Sequence, residues 1–360
     1  MTPILIDGSV LEGGGQILRN AIAYSALLSK PVKIHNIRAS RRPPGLKNQH
    51  RTGLELAARI ASAELKGATN GSSEIEFNPG RLQLPGHFTG DAITAGSTTL
   101  LLQIALPLLL LSKTSGSSTL TLKGGTNASN APQIDYTQNV FLPFARKHFG
   151  LEATLEIKRR GYFPKGGGEV FVEVHPSATP LKACNVSERG DVVAVKGIAH
   201  VAGIPAHLAK SMADSAAEAL RASLGDTLAI DIQNTREKNN NTAGAGSGIV
   251  LWAEVNGVGA IGGSALGSKG KSPAAVGKEA AEELLKGLES GGCVDEYMQD
   301  QIIILMALAS GLSEVRCGKG ALELHTKTAI WVAEQMTDAK FEVDELPTHT
   351  LVRCTGMGHA

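Results

Sequence analysis

The sequence predicts an α/β (α+β) protein: a large domain of three repeated units, with a small α/β domain inserted between the second and third. Three observations carry this. A long apolar helix, a short strand, a polar loop and a second helix recur in that order three times. The stretch from about Asn185 to Gly277 breaks the order with strand, helix and hairpin signals of its own. Finally, 360 residues, 42% apolar and 19% charged, suffice for a sizeable core and about two domains of the usual ~150 residues.

In unit one, Glu12-Gly-Gly-Gly-Gln16 opens a helix to about Leu28, followed by a strand at Val32 to Ile37, a basic loop, and a helix from about Asn48 to Glu64. Unit two starts at Thr94-Ala-Gly-Ser97 with a helix to about Leu111. Its strand covers Ser118 to Leu122, its loop Gly124 to Asn130, and its second helix about Ile134 to His148. Unit three has a helix from near Asp295 to Ala309, a strand at Ser313 to Cys317, and a helix from about Thr326 to Asp338. Within each helix apolar residues return every three or four positions, and each strand alternates or is rich in β-branched residues. The pattern divides the chain into a large domain, 1–184 with 278–360, and an insert, 185–277, whose Asn256-Gly257 reads as a hairpin turn. If the units pack about a common axis, equivalent loops gather residues that are distant in sequence.

Composition limits the function. Lys and Arg exceed Asp and Glu by 35 to 34, so a histone-like polycation and an acidic tail are excluded. Aromatic residues, at 4%, are too few for a platform stacking many bases. The N-terminus lacks a basic, then apolar, leader, and the longest apolar run, Leu100 to Leu111, falls short of the ~20 residues that span a bilayer. Cys184, Cys293, Cys317 and Cys354 form no Cys-x-x-Cys pair and read as reduced, buried thiols. A soluble, intracellular protein is the expectation.

Two nucleotide motifs are weak. Gly257-Val-Gly-Ala-Ile-Gly262 is not followed at once by a helix, and Gly270-Lys-Ser272 lacks the first glycine of a P-loop. Glu12-Gly-Gly-Gly-Gln16, with Arg19 further into the helix, is more informative. Three glycines at a helix start expose N–H groups to a phosphate, and a carboxylate there suits a bridging Mg²⁺; a turn with a capping carboxylate fits equally. Five cations lie between Arg38 and Arg51 (Arg38, Arg41, Arg42, Lys47 and Arg51), in a loop stiffened by two prolines. Such a loop grips phosphate or RNA backbone, or is simply solvated. His325 stands at the loop-to-helix junction of unit three, where a neutral imidazole could attack phosphorus or be merely structural.

Specific stretches then resemble the RNA 3′-terminal phosphate cyclases along nearly the whole chain. They are Asp7-Gly-Ser-Val-Leu-Glu-Gly-Gly-Gly-Gln-Ile-Leu-Arg19, Ile37-Arg-Ala-Ser-Arg41, Gly161-Tyr-Phe-Pro-Lys-Gly-Gly-Gly168, Asp300-Gln301 and His325-Thr-Lys-Thr328. The tail, Cys354-Thr-Gly-Met-Gly358, is more similar to eukaryotic members. The resemblance implies that each repeat is a four-stranded sheet with two helices. It further implies ATP as co-substrate, Mg²⁺ or Mn²⁺, and an RNA with a 3′-terminal phosphate as partner. A nuclear location follows if the source is eukaryotic, and a cytoplasmic one otherwise.

By the same resemblance His325 becomes adenylylated by ATP, AMP passes to the RNA 3′-phosphate, and the 2′-hydroxyl closes a 2′,3′-cyclic phosphate. Gln103, Pro132, Tyr297, Asp300 and Gln301 match ATP contacts, with Pro132 and Tyr297 on either side of the adenine. Arg19, Arg38, Arg41, Arg42, Gln49 and His50 match the phosphate and RNA side, and Glu12 the metal carboxylate. The alternative is a cyclase-like scaffold of ribosomal RNA processing, a group lacking the nucleophilic histidine that this chain retains as His325.

Overall fold

The computed structural model describes residues 2–111, 116–177 and 180–359. Unit one comprises β1 (Ile4–Asp7), α1 (Gly15–Leu28), β2 (Val32–His35), α2 (Asn48–Ile60), β3 (Glu64–Lys66) and β4 (Ile75–Asn78). Its sheet runs β1-β2-β4-β3, with β1 parallel to β2 and the other pairs antiparallel. Unit two repeats this with β5 (His87–Asp91), α3 (Thr98–Leu110) and β6 (Ser118–Gly124). Its second helix is α4 (Ile134–Tyr136), passing through one π turn into α5 (Leu142–Phe149); β7 (Glu152–Arg159) and β8 (Gly168–His175) follow. The order β5-β6-β8-β7 again has a parallel first pair.

The third sheet opens with β9 (Asn185–Val186) and is then interrupted. The inserted segment is β10 (Val192–Ala202), α6 (His207–Leu224), β11 (Ala229–Arg236), β12 (Gly246–Val255), β13 (Gly259–Leu266) and α7 (Pro273–Glu289). Unit three resumes as α8 (Glu296–Leu308), β14 (Ser310–Cys317), α9 (Leu324–Met336), β15 (Lys340–Glu345) and β16 (Thr350–Met357). Its sheet, β9-β14-β16-β15, has the strand order and directions of the other two. The insert therefore lies within unit three, after its first strand, and not between units two and three.

The insert has its own four-stranded sheet, β11-β10-β12-β13, with α6 and α7 packed on it and on each other. Position 277, expected to close the insert, falls in the middle of α7. A side chain at Gly277 would collide with the Met212 carbonyl of α6, so the glycine is what lets the two helices touch. Residue 185, expected to open the insert, pairs instead with Glu314 of β14. The strand is too short to show a period in the sequence.

Smaller boundaries also move. α2 stops at Ile60 because Ser62 adopts a left-handed φ of 44°, and Glu64 already starts β3. β2 ends at His35, before left-handed Asn36 (φ 52°), and α9 starts at Leu324, which puts His325 inside the helix. Asn256-Gly257 does turn a hairpin, with Gly257 at φ 77°, and Ser272 caps α7, its hydroxyl accepting from Ala275 N.

The first helix of each unit is buried almost all round: 11 of 14 residues in α1, 11 of 13 in α3 and 10 of 13 in α8. Helices of this kind form the centre of a domain and leave no face for solvent. α3 touches both α1 and α8, and α9 packs on α1 and α8. The loops leaving the parallel strand pairs consequently converge. No helix among the described residues is long and apolar enough to cross a membrane.

Candidate active site

The glycine-rich loop between β1 and α1 turns through Gly13, whose φ of 58° suits glycine. The Glu12 carboxylate folds back over Gly14, where any Cβ would collide with it. Three segments meet at Glu12. Its backbone N–H donates to Thr328 Oγ1 of α9 at 3.2 Å, and Arg41 Nη2 donates to the Glu12 carbonyl (2.8 Å) and Oε1 (2.7 Å). Among the described residues Glu12 Oε2 is buried without a hydrogen-bond partner, an oxygen that a hard cation could take.

His325 is exposed in the first turn of α9, one turn before Thr328. The N-cap Glu323 makes no side-chain capping bond, so the first N–H groups of α9 remain available to an anion. Thr328 Oγ1 donates to the Leu324 carbonyl at 2.6 Å, which ties this turn to the hydroxyl that holds Glu12.

Arg19 lies along α1 with Nη2 on Gln16 Oε1, while its Nε is buried and has no partner among the described residues. It lines one cleft with Gln49 and His50, and a Cβ on Gly15 would come 2.7 Å from His50 Nε2 and 3.0 Å from Arg19 Nη1. Burial, then the Arg19, Arg38 and Lys47 charges, lower the His50 pKa to about 3, so the ring is neutral at ordinary pH. Gln49 Oε1 accepts from Ser97 N at 3.0 Å, joining units one and two. The arginines differ in kind. Arg38 is buried with a left-handed φ of 52° and ties its own loop through Nη1 to the Pro43 and Gly45 carbonyls, both at 2.9 Å. Arg41 and Arg42 are exposed, Arg41 while bonded to Glu12.

Gln103, Asp300 and Gln301 line a second cleft together with Gln16 and Asn20 of α1. Asp300 is pushed up to about 7 by burial, although Arg19 pulls the other way. Gln301 Nε2 donates to the Tyr297 carbonyl at 2.5 Å, and Thr99 Oγ1, on the same cleft, donates to the Pro132 carbonyl at 3.0 Å. Tyr297 meets Tyr136 edge-on, with ring centroids 5.6 Å apart, and borders a further cavity of about 530 Å³.

Sequence reasoning missed the groups that hold these pieces in place. Asp295 accepts from Tyr136 Oη (2.6 Å), Gly262 N of β13 (2.8 Å) and Met298 N (2.9 Å), so one carboxylate joins unit two, the insert and α8. Arg160 reaches both Asp135 oxygens at 2.7 Å and Glu237 at 2.6 Å; Asn127, Tyr162 and His200 complete this buried network. An Asp before a helix was a readable capping signal for Asp295. No local signal marks the Arg160 network, whose partners are 25 and 77 residues away.

A family profile described as RNA 3′-terminal phosphate cyclase matches residues 10–343. Similar proteins of that name occur in Staphylothermus marinus, 44% identical over 93% of this chain and 92% of the relative. Those of Pyrobaculum aerophilum (40%, 99% of both chains) and Drosophila melanogaster (41%, 98% and 96%) are alike over nearly their full length. A match of such extent shows that the chain belongs to the RNA 3′-terminal phosphate cyclase family.

Proposed function

We propose that the protein converts an RNA 3′-terminal phosphate to a 2′,3′-cyclic phosphate, consuming ATP through a covalent His325–AMP. The observation that carries this is the junction of the Glu12 loop, Arg41 and the helix of His325: an exposed imidazole at an uncapped helix start, one turn from Thr328, whose hydroxyl accepts from the loop where Arg41 holds the Glu12 carboxylate. An imidazole nitrogen of His325 forms a bond to the α-phosphorus as the bond to the bridging oxygen breaks, releasing diphosphate. An RNA 3′-phosphate oxygen then takes the AMP from the nitrogen. Last, the 2′-hydroxyl attacks the terminal phosphorus, losing its proton as AMP leaves. Each step is a transfer at phosphorus, so positioning and charge neutralisation supply most of the catalysis.

In this reading Gln103, Asp300 and Gln301 face the nucleotide, with Pro132 and Tyr297 about the adenine. Arg19, Arg41, Arg42, Gln49 and His50 hold phosphate and RNA, and Arg38 adds charge while stiffening the loop. Glu12 would hold Mg²⁺ or Mn²⁺ with phosphate oxygens, and a cation so bound would screen the phosphate charge. We take the inserted domain to run from Val192 to Glu289, and the site of action to be intracellular, nuclear in a eukaryote.

The test is incubation with α-labelled ATP and Mg²⁺. Label stable to alkali, lost in acid and absent from His325→Ala supports the reading, and so does cyclisation of a 3′-phosphorylated oligoribonucleotide. A folded, ATP-binding protein that takes no label refutes it and favours the scaffold alternative.

A further inference from the structure

We propose that the turn Gly161–Gly168 presents Phe163 as a stacking platform for the bases next to the 3′ end of a single-stranded RNA. The inference rests on the function proposed above and names the part of the substrate that the phosphate-facing side chains leave unheld.

Adjacent aromatics have opposite fates in this turn: Tyr162 is 5% exposed and Phe163 77%. The turn is stiff. Gly166 N donates to the Tyr162 carbonyl at 2.8 Å, and Gly166 and Gly167 are both left-handed, at φ 63° and 69°. Beneath it, Gly161 N donates to Thr126 Oγ1 at 3.1 Å, Tyr162 Oη pairs with His200 Nδ1 at 2.9 Å, and Arg160 is locked between Asp135 and Glu237. A ring carried on such a frame loses little conformational freedom when a base stacks on it.

One exposed apolar residue is ordinary. Here a second stands on the neighbouring loop, Ile93, 82% exposed and held at a left-handed φ of 61°. The two loops are in contact, since a side chain at Gly166 would collide with the Thr94 carbonyl. The Ile93 loop continues to Gly96, whose Cβ position is 3.2 Å from Gln49 Cβ, and to Ser97, bonded to Gln49 Oε1. Gln49 lies in one cleft with His50 and Arg19. The platform is thus continuous with the phosphate-facing residues. Exposed cations accompany it in the chain: Lys165 on the same turn, and Arg42 and Lys47 on the loop leading to Gln49. Cations for the backbone beside an aromatic face for a base is the combination that binds single strands without reading sequence. One ring serves one or two bases, in keeping with a chain poor in aromatics.

The test uses a 5′-fluorescein oligoribonucleotide with a 3′-phosphate, its Kd read by anisotropy at fixed salt. Phe163→Ala is expected to weaken binding by roughly tenfold, and Phe163→Trp to stay within about twofold of the parent. Abasic residues at the last two positions should weaken the parent by a similar factor and add nothing to Phe163→Ala. Labelling of His325 from ATP alone should be unchanged in both variants, which shows that they fold. A Kd for Phe163→Ala within about twofold of the parent, or an equal loss on abasic RNA, overturns the platform. A parent that binds RNA yet never cyclises its 3′-phosphate overturns the proposed function instead, and the Kd comparison still decides the platform.

Discussion

Asp135→Asn removes one charge from the buried junction of unit two and the insert while keeping side-chain volume. Arg160 is 6% exposed at its side chain, with Nη1 and Nη2 each 2.7 Å from Asp135 and Nε 2.6 Å from Glu237. Deleting one partner of a buried pair costs about 3–5 kcal/mol, because the other charge stays behind unpaired. Glu237 remains to Arg160, so the lower end, about 3 kcal/mol, is expected. Burial alone would raise the Asp135 pKa, yet the Arg160 guanidinium holds it well below the usual carboxylate range. A depressed pKa stabilises the fold at every pH above the unfolded value of about 4, and is lost only as pH falls through the folded value. The loss in the variant should therefore be the same at pH 6 and pH 8. Trp252 reports on β12 of the insert and Trp331 on α9 of unit three, so single-tryptophan proteins separate the two regions. In urea the Trp252 midpoint should fall by about 1 M or more, taking m near 1–3 kcal/mol/M for a segment of this size. The Trp331 midpoint should move less. A Trp252 shift below about 0.3 M would refute the assignment of Arg160 and Asp135 as the clamp.

Three further expectations follow from the geometry. Asp300 has a folded pKa raised to about 7, so the folded state holds a proton that the unfolded state has lost, and stability should fall as pH rises from about 4 to 7. Asp300→Asn should flatten that part of the Tm–pH curve, and an unchanged slope would count against the shift. Gly14 has a β-region backbone (φ −122°, ψ −153°) that alanine tolerates, so Gly14→Ala should leave Tm nearly unchanged. Its Cβ would still displace the Glu12 carboxylate and should lower Mg²⁺-dependent labelling of His325 by about tenfold or more. The four thiols are buried and pushed up to about 11 for Cys293 and about 12 for Cys184, Cys317 and Cys354, chiefly by burial. A disulfide reagent at pH 8 should find none of them in the native protein and all four in denaturant.

The repeats were legible because each helix carries its own period and each core helix is apolar on nearly every face. What was not legible was a strand of two residues. β9 has no period to read, yet it assigns the start of unit three and shows that the insert interrupts that unit. Likewise α7 has the composition of a helix of either domain, and only the contact of Gly277 with α6 shows which body it joins. The basic loop shows a third limit. Its charges were plain, but Arg38 turns in on its own loop while Arg41 reaches across to Glu12, and the left-handed backbone at Arg38 is one that arginine seldom adopts and no pattern announces.

The site itself is made of contacts between distant residues: Glu12 to Thr328 across 316 positions, Tyr136 to Asp295 across 159, Gln49 to Ser97 across 48. Only the repetition could have foretold them, and it does so by loop equivalence. The loop from first strand to first helix carries Glu12 in unit one and Ile93 in unit two. In unit three that same loop is where the insert enters, between β9 and α8. An insertion there cannot lie far from the site, because its two ends are the positions from which the other units supply their residues. That is why Gly262 of the insert shares Asp295 with Tyr136, two residues before Tyr297, and why loosening the insert should be felt at Tyr297 and the start of α8.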